Sequence, residues 1–238
     1  IGHVGEDTGG ERVRHVFAQA GVDTACLWVD PAGTARSVNL MFPDGQRKNF
    51  YDGRGHMTFA PDHAAAAQTL QGATLAHVHL ANWARQLLPT AQAASAFIAC
   101  DLQDMRTLDD PYRAEFIAFA DVVFFSNANI GHPESAVQAL LAAKPGRVVV
   151  VGMGGQGCAL GYKHTLRTFP ALQDGDPIVD TNGAGDNLAV GFLSSFVLDG
   201  ESPETAIQRG QIMAREICIQ RVPKAPMSRQ RLNALLAR

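Results

Sequence analysis

Asp180-Thr181-Asn182-Gly183-Ala184-Gly185-Asp186 sets three residues of minimal bulk in front of an apolar helical run, Leu188, Val190, Phe192, Leu193 and Phe196. A helix opens with backbone N–H groups that lack partners and with about half a positive charge from its dipole. Gly183, Ala184 and Gly185 leave those N–H groups open to a phosphate or a developing oxyanion. Asp186 falls in the first turn, where the dipole favours its ionised form. There it can take a proton from a substrate hydroxyl while a phosphoryl group is held at the amides. A glycine-rich helix cap with Asp186 as an ordinary first-turn acid accounts for the same residues without chemistry. A calcium loop does not: Asp180 and Asn182 have its opening spacing, but its fifth and twelfth positions are Ala184 and Gly191, not a Glu.

Working outward, apolar strands at 74–80, 97–100, 122–125 and 148–151 alternate with helical stretches near 90–96, 112–120 and 133–143. That alternation predicts a mostly parallel sheet with helices on both faces. A β-rich stretch covers 158–179, and helices follow at 184–198, 203–221 and 228–237, the second opened by Glu201-Ser202-Pro203-Glu204. Near the start, Val13, Val16, Phe17 and Ala20 recur at helical spacing, and Gly21 ends that helix. Three β-like runs at 25–30, 35–42 and 47–51, separated by Asp30-Pro31-Ala32-Gly33 and Pro43-Asp44-Gly45, predict a small antiparallel meander.

Composition narrows the function classes. A net charge of −3 without a basic run leaves nothing to neutralise a nucleic-acid backbone, so no nucleic-acid partner is expected. No apolar stretch approaches the ~20 residues of a membrane span. Cys26, Cys100, Cys158 and Cys218 lack paired spacing, which suggests free thiols and a cytoplasmic setting. The opening Ile1-Gly2-His3-Val4-Gly5 lacks the features of a signal peptide and reads as a chain joined partway through.

Gly152-Met153-Gly154-Gly155-Gln156-Gly157 follows a strand and fits the GxGxxG dinucleotide string, with Asp174 or Asp176 as the downstream acid. The dinucleotide reading needs a helix at the third glycine. Gly157-Cys158-Ala159-Leu160-Gly161-Tyr162 reads as a strand instead, and a plain tight turn is the other alternative. No GxxxxGK[ST] string exists, which excludes the P-loop class.

The 180–186 motif, continuing through Gly191 and Phe192, resembles the C-terminal signature of the ribokinase-like (PfkB) carbohydrate kinases. The resemblance implies an α/β fold: a three-layer, Rossmann-like, mostly parallel sheet flanked by helices, with a small β-sheet lid. It implies a core over 1–21 and 53–238, a lid over 22–52, and a first family strand that would precede residue 1. By the same resemblance Asp186 is the base and contacts the acceptor, and Gly183, Ala184 and Gly185 form the anion hole. Asn127, Gly152, Gly154, Gly157 and Gly185 lie along the nucleotide, Arg54 and Gly55 near the acceptor, and Asp180 and Asn182 at a monovalent-cation site. ATP and Mg²⁺ are the implied cofactors, with K⁺ as a third, and a homodimer through the lid is the implied assembly. The expected reaction is phosphorylation of a hydroxymethyl group on a sugar or sugar-like molecule. A nucleoside kinase of the same family, a catalytically impaired kinase-fold binding or regulatory protein, and a dinucleotide-dependent dehydrogenase are the alternatives.

Several positions depart from the family pattern. Gly152 stands in place of a Thr, Ile130 in place of the Glu of an Asn-x-x-Glu motif, and Gln103 in place of the Asn of Asp-x-Asn, with Arg106 one position later than expected. His77 and His79, two apart on one strand, share a face as a metal pair would. No third ligand follows at recognisable spacing, so they read as structural histidines with satisfied hydrogen bonds.

Overall fold

The computed structural model describes residues 1–41, 47–173, 175–221 and 227–236. The expected turn at 43–45 and the candidate acid Asp174 lie outside the described residues. The chain divides into two compact units, Ile1–Ala73 with Ala81–Ala96, and Thr74–Leu80 with Phe97–Arg238.

In the first unit, β1 (Gly2–Val4) pairs in parallel with β2 (Leu27–Val29), and α1 (Thr8–Gln19) connects them. Asp7 caps α1 by accepting from Gly10 N at 2.9 Å, and it also accepts from Thr34 N (2.8 Å) and Thr34 Oγ1 (2.6 Å). One carboxylate thus starts a helix and fastens a distant loop to it. The apolar positions of α1 form the expected stripe, but Val16 and Phe17 remain exposed. β3 (Arg36–Met41) and β4 (Arg47–Asp52) form an antiparallel pair, with Val38 opposite Phe50 and Leu40 opposite Lys48. The expected three-run meander is therefore a hairpin only. The run at 25–30 pairs with the short β1, a three-residue strand with too little pattern to be read from sequence. Helices α2 (His63–Leu70), α3 (Asn82–Arg85) and α4 (Leu88–Ala93) complete the unit, with Asp62 capping α2 through Ala64 N and Ala65 N at 3.0 Å each.

The second unit is built on a six-stranded sheet of β5 (Leu75–Val78), β6 (Phe97–Asp101), β7 (Val122–Ser126), β8 (Val148–Gly152), β9 (Cys158–Tyr162) and β10 (Thr165–Phe169), in the spatial order β10-β9-β8-β7-β6-β5. β5 to β8 run parallel and β9 and β10 antiparallel. Val148 to Val151 are fully buried, as a strand covered on both faces requires. Between the strands lie α5 (Ala114–Phe119) and α6 (Glu134–Ala143); α7 (Ala184–Leu193), α8 (Pro203–Cys218) and α9 (Arg229–Leu236) follow the sheet.

One face of the sheet packs Ala99, Val122, Phe124, Val148, Val150 and Leu160 against Leu188, Ala189, Phe192 and Leu193 of α7 and Ala206 and Ile207 of α8. α6 lies on the other face, where a Cβ on Gly161 would stand 2.4 Å from Val137 Cγ1. Helix α7 is held close to α8 because a Cβ on Gly191 would come within 2.7 Å of Gly210 Cα. A π-helical turn, Ser194–Leu198, prolongs α7 as the apolar pattern predicts. Arg147, 2% exposed, ties α5 and α6 to the sheet by donating to Ala120 O (3.1 Å), Leu140 O (3.0 Å) and Ile117 O.

Candidate active site

Four parallel strands present their carboxyl ends at one edge of the second unit's sheet, the place where open α/β sheets gather their ligands. Register fixes which side chains face α7. His77, Ala99, Val122 and Val148 share one row, and Asp101, Phe124 and Val150 share the row two residues further on. Ala99, Val122, Phe124, Val148 and Val150 belong to the core beneath α7 and α8, so His77 and Asp101 face that side too. His79, two residues beyond His77, continues the same face.

The start of α7 supplies the fourth group of this cluster. Gly183 holds φ 84°, a left-handed conformation that a side chain would strain, and turns the chain into the helix. Ala184 N donates to Thr181 O at 3.1 Å and Asn187 N to Gly183 O at 3.0 Å. Between them, the Gly185 and Asp186 amides have no acceptor among the described residues. A Cβ added at Gly185 would meet no heavy atom within 4 Å, so the space beside this residue is open. Asp186 is exposed and acts electrostatically on His77, His79 and Asp101. A carboxylate beside two unclaimed amides can accept a proton while an anion is held next to it.

Burial, with smaller contributions from Asp186 and Asp104, pushes Asp101 up to about 6, although Gln103 N donates to its Oδ1 at 2.7 Å. The two histidines differ from their expected role. Each is reachable by solvent, yet enough protein surrounds the ring that desolvation lowers its pKa, against the pull of Asp186. Neither ring has a hydrogen-bond partner among the described residues, so the satisfied structural role is not what the fold provides. His-x-His at the carboxyl end of a parallel strand is the signal that points to them, once that end is known to meet a helix start. No group of three or more His, Cys, Asp or Glu able to hold a metal ion occurs among the described residues.

The glycine loop occupies the end of β8. Gly154–Gln156 forms one 3-10 turn, Met153 N donates to Gly157 O at 2.9 Å, and β9 follows as a strand. No helix opens at Gly157, which removes the geometric basis of the dinucleotide alternative. The four glycines serve different ends. Gly157 has φ 100° and stands where a Cβ would lie 2.1 Å from Phe169 O, so backbone packing alone demands it. Gly154 and Gly155 face open space. Gly152 ends β8 opposite Ser126, which brings Asn127 to the neighbouring strand end. Asn127 O accepts from Ile130 N (3.1 Å) and Gly131 N (3.0 Å), closing a turn in which Ile130 takes the place of an acid.

Asp180 Oδ1 accepts from Asn182 N at 2.9 Å, and the Val179 and Asp180 amides donate to Cys218 O at the end of α8 (2.9 and 3.1 Å). Arg54 and Gly55 belong to the first unit. Arg54 (φ 50°) pairs with Asp52 at 3.0 Å, and Gly55 gives room to the buried Asp30 carboxylate, whose Oδ2 would stand 2.1 Å from a Cβ there.

A family model described as pfkB family carbohydrate kinase matches residues 1–228. The chain is 30% identical over 224 residues to an acarbose 7(IV)-phosphotransferase of Actinoplanes sp., covering 90% of this chain and 72% of that protein. It is 28% identical over 207 residues to an ATP-dependent ribose-1-phosphate kinase of Halopiger xanaduensis, covering 84% and 68%. A solved microbiome-derived acarbose kinase superposes with a TM-score of 0.87 at 29% identity, over 99% of this chain and 80% of that one. With the family model spanning nearly its whole length, the chain belongs to the pfkB family of carbohydrate kinases, ATP-dependent phosphotransferases.

Proposed function

We propose that this chain transfers the terminal phosphoryl group of ATP to a hydroxymethyl group of a sugar or sugar-like acceptor, with Asp186 as the base. The observation that carries this reading is the exposed Asp186 carboxylate beside two amides without acceptors at the start of α7. Asp186 takes the proton of the attacking hydroxyl, and the Gly185 and Asp186 amides at the start of α7 stabilise the transferring group in a setting fixed before the reaction begins. The left-handed Gly183 positions them. Gly152, Gly154, Gly157 and Asn127, at adjacent strand ends, line the nucleotide, and the family resemblance assigns acceptor contacts to Arg54 and Gly55.

Mg²⁺, when bound, neutralises charge between the phosphate oxygens. The lack of a three-ligand cluster among the described residues fits an ion that arrives with the nucleotide and keeps mostly phosphate and water around it. Asp180 and Asn182 are the residues for K⁺. Residues 22–52 serve as a lid, with the β3–β4 hairpin as its body. Val38, Leu40 and Phe50 stand exposed on one face of that hairpin, which supports pairing with a second copy. Four buried cysteines, none of them in a disulfide, fit a reducing cytoplasm.

Replacing Asp186 with Asn tests the reading. ADP release with a productive sugar falls by about 10²-fold or more while ATP still raises the melting temperature. Turnover near that of the wild type would remove Asp186 from the role of base.

A further inference from the structure

Beyond the base and its amides, the second unit holds two imidazoles that the phosphoryl-transfer chemistry does not use. His77 and His79 share the α7 face of the sheet with Asp101 and with the end of α7 that carries Asp186. We propose that His77 and His79 are specificity-determining residues that hold an uncharged, hydroxyl-rich acceptor against Asp186 and that this site rejects acceptors already bearing a phosphate. The inference rests on the reading of Asp186 as the base and adds the class of acceptor.

Three observations carry it. First, both rings are open to solvent and without hydrogen-bond partners among the described residues, so each offers ring nitrogens to an incoming molecule. A neutral imidazole presents one donor and one acceptor, the complement of a hydroxyl group, and two rings spaced by one residue can hold two hydroxyls of one sugar. Desolvation keeps both rings toward the neutral form. Second, the charged groups that act on His77, His79 and Asp101 are Asp186, Asp104 and one another. Three of these groups are carboxylates, so a phosphate on the acceptor would approach like charge at this cluster. Third, α7 begins in front of this cluster, and its unclaimed amides already provide for the anionic phosphoryl group of the nucleotide. An acceptor without matching hydroxyls leaves both imidazoles without a partner from the acceptor.

The test combines binding and turnover. Wild-type protein selectively ¹⁵N-labelled at histidine is titrated with ribose, fructose and maltose, and separately with ribose 5-phosphate and fructose 6-phosphate. ADP release is followed in parallel. Free sugars are expected to shift the His77 and His79 ring resonances, and sugar phosphates to leave them in place. The single variants His77→Leu and His79→Leu are expected to raise KM for the free sugar by about 10- to 100-fold, with smaller effects on kcat and none on KM for ATP. His79→Gln, which keeps a donor and an acceptor, is expected to recover part of the loss. The resonances read the wild type, so a variant that fails to fold does not remove the test.

Sugar phosphates that bind or react better than free sugars would overturn the proposal. So would ring resonances that none of the free sugars moves, or Leu variants with an unchanged acceptor KM. Free sugars that shift the rings without any ADP release would uphold the acceptor site and sink the kinase reading. Turnover of a free sugar with unaffected Leu variants would do the reverse.

Discussion

Gly185→Ala separates stability from chemistry at the start of α7. Gly185 lies inside the helix, at its second residue, without a left-handed φ, and a methyl group there meets no heavy atom within 4 Å. Such a substitution costs the fold nothing in packing and reduces the freedom of the unfolded chain, worth about 0.4–1 kcal/mol of added stability. For a chain of 238 residues that corresponds to a melting temperature higher by roughly 1–4 °C. The same methyl adds bulk beside the Gly185 amide, next to where the proposed function seats the transferring phosphoryl group. If it displaces the phosphoryl from one donor, the transition state loses about 2.7–4 kcal/mol, and turnover falls by about 10²- to 10³-fold. Differential scanning fluorimetry and ADP release on the same preparation read both effects. A variant at least as stable as the wild type but nearly inactive is the expected result. Wild-type turnover would refute the assignment of these amides to the phosphoryl group, and a lower melting temperature would refute the open space beside Gly185.

Asp101 gives a pH prediction. Its folded pKa, about 6, lies above the usual carboxylate value, so between roughly pH 4 and 6 the folded state binds more protons than the unfolded one. Its contribution to stability therefore falls as pH rises through that window and is constant above it. Asp101→Asn is expected to flatten this part of the melting-temperature profile and to raise stability relative to the wild type most clearly at pH 7 and above; an unchanged difference between the two proteins from pH 4 to 8 would count against it. Arg147→Met strands three carbonyls of α5, α6 and the chain between them, and is expected to lower stability by roughly 3 kcal/mol or more in urea titrations. Phe50→Lys, on the apolar face of the β3–β4 hairpin, is expected to convert a dimer to a monomer in light scattering without lowering the melting temperature. A wild-type protein already monomeric at high concentration would end the lid-pairing reading.

The fold was legible because its signals are local. Val148 to Val151 can only be a strand covered on both faces, and the strands and helices from 74 onward repeat one βα rhythm that permits a mostly parallel sheet. The Gly-Ala-Gly-Asp start of α7 was equally local, since its geometry needs only the residues of one turn. The strand Gly2–Val4 was not legible. Three residues carry too little period, and only pairing with Leu27–Val29 makes them a strand, which in turn draws the run at 25–30 away from the hairpin. Identical letters also hid different reasons: Gly157 answers to the Phe169 carbonyl, whereas Gly154 answers only to its own φ of 57°.

By itself, the chain of residues determined that a helix would open at Ala184 with bare amides and a carboxylate, because backbone geometry and side-chain bulk are properties of neighbours along the chain. Only the tertiary structure decided what that carboxylate faces. His77, His79 and Asp101 lie more than eighty residues away from Asp186, and they come to it because parallel strand register places them on one face and α7 covers that face. The desolvation that raises Asp101 and lowers both histidines comes from packing, and packing between distant segments leaves no mark on the residues read one after another.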